Sequence, residues 1–449
     1  TRALHTLYAD SGLRSTDQLN VSILQGRCAG GGSTVNWMVM LRTPQHVIEE
    51  WQRQHGTEYM DVRSMSAAFD DFERASHVAP VAAHAHSPIN RLILDSARRL
   101  GWRARSASVN ARDCMRTGAC GLGCRYDAKQ STVLTQLPRA LHAGARLYCD
   151  VSTQRIERSG RSFRVHGRTP AGKTVTVSCD VAVVAAGAVT TPTLLQRSGL
   201  APAGAGSHLR LHPTSAVVGL YDEPFYAASG IPLTAYCDEF MKLHDGYGHW
   251  IEAPPLTAGL AAVAMPGFGA AHHAFMQRFP YLAPLIVLVR DGAPDGASVG
   301  SVRARGADAR IRFRLGRTDR ETLLHGITSA ARMHFSAGAR SVLTLHAHQT
   351  LLRSEADLPL IAEASRRYGD PALFSAHVNG TCRIGRNLRT SGCQPDGQVH
   401  GQPNLYVMDG SLLPTAPGVN PHETIAATVA ILARQLAGTA RSQRSATAP

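Results

Sequence analysis

Apolar residues recur at helical spacing in three early stretches, "VIEEWQRQHG" (47–56), "MSAAFDDFERA" (65–75) and "INRLILDSARRLGW" (89–102). Each predicts an amphipathic helix, and the last stops at Gly101. The period then shortens. Residues 142–189, beginning "HAGARLYCD", alternate short strands with glycine turns, as a meander does. They close on "DVAVVAAGA", a continuous apolar run suited to a strand buried on both faces. The pattern places a further helix from Thr191-Pro192, with proline in the first turn, to Ser198-Gly199. A buried strand, a glycine turn and a helix make half of a doubly wound nucleotide fold. From about Ser215 to Leu358 the texture changes again: short apolar strands such as "TSAVVGLY" and "ARIRFRLG" alternate with loops rich in Gly, Pro and Ala. That segment reads as a separate, mostly antiparallel domain.

Composition changes this picture little. The 449 residues are 44% hydrophobic, an ordinary globular balance with room for two or more cores. No apolar run approaches the ~20 residues of a membrane span, and "TRALHTLYAD" lacks the apolar core of a secretory signal. The expected location is cytoplasmic, with peripheral membrane contact left open. The formal charge of +14 comes from scattered arginines; lysine occurs only at Lys129, Lys173 and Lys242. Without basic patches or interleaved aromatics, nucleic-acid binding is not expected. Nine cysteines, mostly dispersed, suit a reducing compartment.

Candidate chemistry lies at the two ends. "GRCAGGGSTVNW" (26–37) reads as a loop that brings its backbone close to a ligand, with Ser33 and Thr34 opening a helix toward a phosphate. Near the other end, "SAHVNGTCRIG" precedes "NLYVMDGSLLPTAPGVNPHETIAATVAILARQLA". There a strand ends in Asp409-Gly410, suited to phosphate or ribityl hydroxyls. Asn420, Pro421 and Glu423 spell an N-cap, a first helical residue and a capping box.

These blocks, with "GAVTTPTLLQRSGL", resemble the glucose–methanol–choline (GMC) flavoprotein oxidoreductases. The departures are Ala29, where a larger apolar residue is usual, and Ala201, where glycine is expected. The resemblance implies an α/β fold: a doubly wound, Rossmann-like FAD-binding domain with an inserted α+β substrate domain built on an antiparallel sheet. It divides the chain into flavin segments 1–45, 128–212 and 371–440, substrate segments 46–127 and 213–370, and a disordered tail, 441–449. It implies that FAD contacts Gly26, Arg27, Gly30, Gly31, Ser33, Asn36, Thr153, Ala186, Gly187, Asp409, Gly410, Pro421 and Thr424. It also implies oxidation of a primary or secondary alcohol, His377 acting as general base and Asn420 orienting the hydroxyl, with oxygen, a quinone or a cytochrome taking the electrons. Few aromatic residues in the substrate segment favour an aliphatic or sterol-like alcohol over a sugar.

Two features fit less simply. The usual G-x-G-x-x-G turn is missing before Gly26, so the chain is read as a fragment, with a shortened protein or a remnant that no longer binds FAD as alternatives. A lyase or light-driven decarboxylase activity is the other alternative. Cys114, Cys120 and Cys124 have C-x5-C-x3-C spacing, open to two readings: an iron–sulfur site, as in some dehydrogenases of the family, or loop structure, as in long-chain alcohol oxidases.

Overall fold

A computed structural model describes residues 2–348 and 350–446, the last eight of these as helical backbone only. The three early helices form at Gln45–His55, Val62–Ala75 and Pro88–Leu100. Asp61 caps the second by accepting the Ser64 N–H at 2.6 Å, and the third ends on Gly101 at φ 71°, a left-handed cap that glycine adopts without strain.

Among the described residues, nine strands build the principal sheet. Its order is Val21–Ile23, Leu373–Ser375, Thr214–Leu220, Leu282–Val289, His249–Glu252, Ala235–Cys237 and Ala104–Ser106. Ser341–Thr344 branches from Thr214–Leu220 and pairs with Thr350–Leu352. The first pair is parallel and the others antiparallel. A single antiparallel rung, Thr214 opposite Phe374, joins the parallel end to the rest. The helices Pro88–Leu100 and Arg317–Ser336 cover one face with Leu92, Ile93, Leu323 and Ile327, packed on Ile251 and Val287.

A second core holds the nucleotide-type elements. Ala182–Val184, from the apolar run, pairs in parallel with Leu405–Val407, beside the meander Ser152–Ser159, Ser162–Arg168 and Thr174–Cys179. Ile48, Met60, Met65 and Phe69 pack into this core with Val184, Leu195, Leu405 and Leu432. The expected division after residue 45 therefore runs through one packed cluster. The C-terminal helix spans His422–Ala446, so 441–446 continue a helix where a disordered tail was expected, and 447–449 lie outside the described residues.

The helix expected from Thr191 begins earlier, at Gly187, and runs to Arg197 with Pro192 inside it. Proline there removes the N–H that would bond the Ala188 carbonyl four residues back. The Thr381 hydroxyl donates to that carbonyl at 2.6 Å. A tertiary partner thus satisfies the acceptor, and the helix passes through a residue that local rules place at its start. No described helix is long and apolar enough to cross a membrane.

Candidate active site

The two cores enclose a cavity of about 1730 Å³. On one side lie the glycine loop from Gly26, the Ala186-Gly187 turn, Met408–Gly410 and the start of the C-terminal helix. Opposite them the sheet contributes Thr214, Ile286, Leu288 and Phe374, and the turn before Ala235–Cys237 contributes Leu233. One wall is backbone-rich and the other mostly apolar.

The residues expected at the cofactor fall on this cavity with one exception. Gly26, Arg27, Gly30, Gly31, Ser33 and Asn36 line it from the loop, Thr153 from the meander, and Ala186, Gly187, Asp409, Gly410 and Pro421 from the remaining turns. Thr424 does not line it: the side chain is buried and its hydroxyl pairs with that of Thr43 at 2.8 Å. The loop is built for close approach. A Cβ on Gly26 would stand 2.5 Å from the Gly31 carbonyl oxygen, so only glycine fits. Asp409 accepts the Gly187 N–H at 2.9 Å, the Thr191 hydroxyl at 2.5 Å and the Ser411 N–H at 2.8 Å. Its carboxylate thereby pins the strand–helix turn to the Asp-Gly-Ser turn.

Lys129 anchors the same loop from behind. It is buried, and its ammonium donates to the Thr34, Asn36 and Cys120 carbonyls at 2.6, 2.9 and 2.8 Å. Burial pushes its pKa down to about 8, opposed by the Cys120, Cys124 and Cys28 thiols. The cysteine cluster enters the site through this lysine: Cys124 sulfur accepts the Lys129 N–H, and all nine cysteines are free. Among the described residues, no group of three His, Cys, Asp or Glu is placed to hold a metal ion. Lys129→Met is expected to strand three carbonyls and cost about 3 kcal/mol or more, read as a lower midpoint in urea. An unchanged midpoint would remove the lysine from this role.

The two residues expected to be catalytic both open onto the cavity. His377 follows the strand Leu373–Ser375, and its Nδ1 lies 3.1 Å from Nδ1 of His212. Burial holds the imidazole neutral, with its pKa down to about 4. Asn420 does not cap its helix. Its Nδ2 donates to Glu252 Oε2 at 3.3 Å, and its Oδ1 has no protein partner. Glu423 does not complete a capping box either: its carboxyl faces Glu73 and is pushed up to about 9, chiefly by burial. The local N-P-H-E pattern is overruled by partners from distant segments.

Sequence reasoning missed three neighbours. Glu252 is buried, its Oε1 makes no hydrogen bond of normal geometry, and burial, partly offset by Asn420 and the neighbouring Trp250 indole, raises its pKa to about 7. A lone carboxylate in the strand His249–Glu252, buried along its whole length, is a signal that could have singled it out. His422 accepts the Asn36 side-chain amide on Nδ1 at 2.9 Å. Asn36 is oriented for this because its Oδ1 takes the Met38 N–H. His212 is the third.

This geometry accords with the comparisons. Models of the GMC oxidoreductase family match residues 4–214 and 296–428. The uncharacterized GMC-type oxidoreductase Rv0492c of Mycobacterium tuberculosis (strain ATCC 25618 / H37Rv) is 33% identical over 419 residues, covering 92% of this chain and 65% of that protein. The long-chain-alcohol oxidase FAO4B of Arabidopsis thaliana is 28% identical over 94% of this chain and 59% of its own. The chain thus spans somewhat less than two thirds of the length of these relatives. A formate oxidase variant from Aspergillus oryzae superposes with a TM-score of 0.70 at 14% identity, covering 93% of this chain and 85% of that one. A backbone-rich cradle facing an apolar sheet, in a chain matched by both family models, has one consistent assignment: the chain belongs to the GMC oxidoreductases, and its cofactor is FAD.

Proposed function

We propose that the protein oxidises a primary or secondary alcohol with an apolar body to the carbonyl. The observation that carries this reading is the placement of His377, Asn420 and Glu252 on a cavity whose sheet-side wall is largely apolar. The glycine loop and the Ala186–Gly187 and Asp409–Gly410 turns hold FAD, which, when bound, supplies the hydride acceptor for the carbinol carbon. The substrate hydroxyl lies between His377 and Asn420. His377 and Glu252 are the groups there that can take part in moving its proton. Leu233, Ile286, Leu288 and Phe374 exclude water from the reacting carbon and favour an aliphatic chain over a sugar. Similarity to a long-chain-alcohol oxidase supports the same choice, with oxygen as the electron acceptor.

Anaerobic addition of 1-dodecanol to the FAD-loaded protein is expected to bleach the flavin band near ~450 nm, with glucose leaving it unchanged. A flavin that stays oxidised while substrate is consumed would instead identify a lyase or decarboxylase.

A further inference from the structure

His212 plays no part in any sequence motif, yet it lies directly behind His377. It precedes Pro213 and has φ 45°, a left-handed conformation uncommon for a residue with a side chain. Asp291 holds it there, its carboxylate accepting the backbone N–H of Leu211 at 3.3 Å and of His212 at 3.0 Å. The ring is buried, edge-on to Trp250 at 5.0 Å between centroids. A backbone residue maintained in a sparsely populated region by a buried carboxylate marks a place where exact orientation is worth its cost.

The hydrogen bonds on this ring have a forced direction. Nε2 of His212 receives the Gly418 backbone N–H at 3.2 Å, and a backbone N–H can only donate. His212 Nε2 is therefore the acceptor. Burial, with His377 and Arg290 nearby, keeps the ring uncharged. A neutral imidazole carries one proton, and here it is on Nδ1. That N–H points at His377 Nδ1, 3.1 Å away, so His377 accepts there. His377 is neutral as well, and its own proton is left on Nε2, the nitrogen free of His212.

We propose that His212 is a positioning residue that holds His377 in the Nε2–H form, so that His377 meets the substrate oxygen as a hydrogen-bond donor. The opposite tautomer would require a proton on His212 Nε2, facing the Gly418 N–H, and would leave buried donors opposed. Donation by His377 reassigns the general-base role. The hydroxyl O–H bond breaks, its electron pair stays on oxygen beside the His377 N–H, and the proton passes to Oε1 of the Glu252 carboxylate. This assignment rests on the alcohol-oxidation reading.

Nitrogen NMR of histidine-labelled protein reads the tautomer directly, with the His377 signals identified by their loss in His377→Asn. The expected wild-type pattern is a protonated Nε2 and a bare Nδ1 on His377. His212→Leu should abolish that preference and lower kcat by about 10–100-fold, with KM within about threefold. His212→Asn, whose amide N–H can occupy the donor position, should restore kcat to within about tenfold of wild type. A wild-type His377 protonated on Nδ1, or a tautomer unchanged in His212→Leu, would overturn the proposal. Failure of 1-dodecanol to reduce the flavin of the wild-type protein would defeat the alcohol reading instead, and the NMR spectrum would still decide the tautomer.

Discussion

Replacing His377 with asparagine is expected to lower turnover by about 10²–10⁴-fold while the flavin absorbance remains. The residue opens onto the cavity and is uncharged at neutral pH because burial holds its pKa near 4. Whether it takes a proton or donates to the developing alkoxide, its ring nitrogen is the group removed. Asparagine is the informative choice because its side-chain oxygen can still accept the His212 Nδ1–H. Alanine would strand that buried donor and add a stability loss of about 1–3 kcal/mol to the kinetic one. Stopped-flow reduction by 1-dodecanol and a thermal melt on the same sample separate the two effects. Wild-type turnover in His377→Asn would remove the residue from the reaction.

Asn420→Asp should lower turnover by about thirtyfold to a thousandfold, equivalent to ~2–4 kcal/mol of transition-state stabilisation. Were Asn420 an N-cap, aspartate would serve equally well and activity would survive. In the structure its amide nitrogen is a donor, 3.3 Å from Glu252, and its oxygen is free of protein partners. Aspartate replaces that donor with a second carboxylate against a buried first one. Like charges at this separation raise one pKa of the pair, so the two acids hold a proton between them at neutral pH. Glu252 then loses its capacity to accept another, and negative charge on a nearby alkoxide is opposed. That proton leaves only at higher pH, so the acidic limb of the pH–rate profile should move to higher pH than in wild type. A pH–rate profile matching wild type would defeat this account.

Much of the site was legible because the residues expected at the cofactor, which line the cavity, come in short contiguous blocks. The loop from Gly26 to Asn36, the Ala186-Gly187 turn and the Asp409-Gly410 turn each need glycine or small residues for local backbone reasons, and local reasons are visible in a sequence. The helices at Gln45–His55, Val62–Ala75 and Pro88–Leu100 were legible for the same kind of reason. What was not legible depends on long separations. Pro192 was read as a helix start because its missing bond is made good by Thr381, 189 positions away in numbering from it. Asn420 and Glu423 were read as a cap and a capping box because their partners, Glu252 and Glu73, lie far from them in sequence. His212 gave no signal, since one histidine before a proline is ordinary, and its meaning comes from Gly418 and Asp291.

The single rung between Thr214 and Phe374 bears on how this site can diversify. His212 lies two residues before the rung on one strand, and His377 three residues after it on the other. Positional error grows with the length of chain between fixed points, and here only a few peptide units separate each ring from a shared anchor. The alignment of the two imidazoles is therefore insensitive to loop length elsewhere. Apart from Phe374 of the rung itself, the apolar wall is supplied by Leu233, Ile286 and Leu288, whose side chains can change size without moving that anchor. On the proposed reading, proton handling is mechanically separate from most of the substrate-shaping wall, so one lineage could exchange its alcohol while keeping its histidine pair intact.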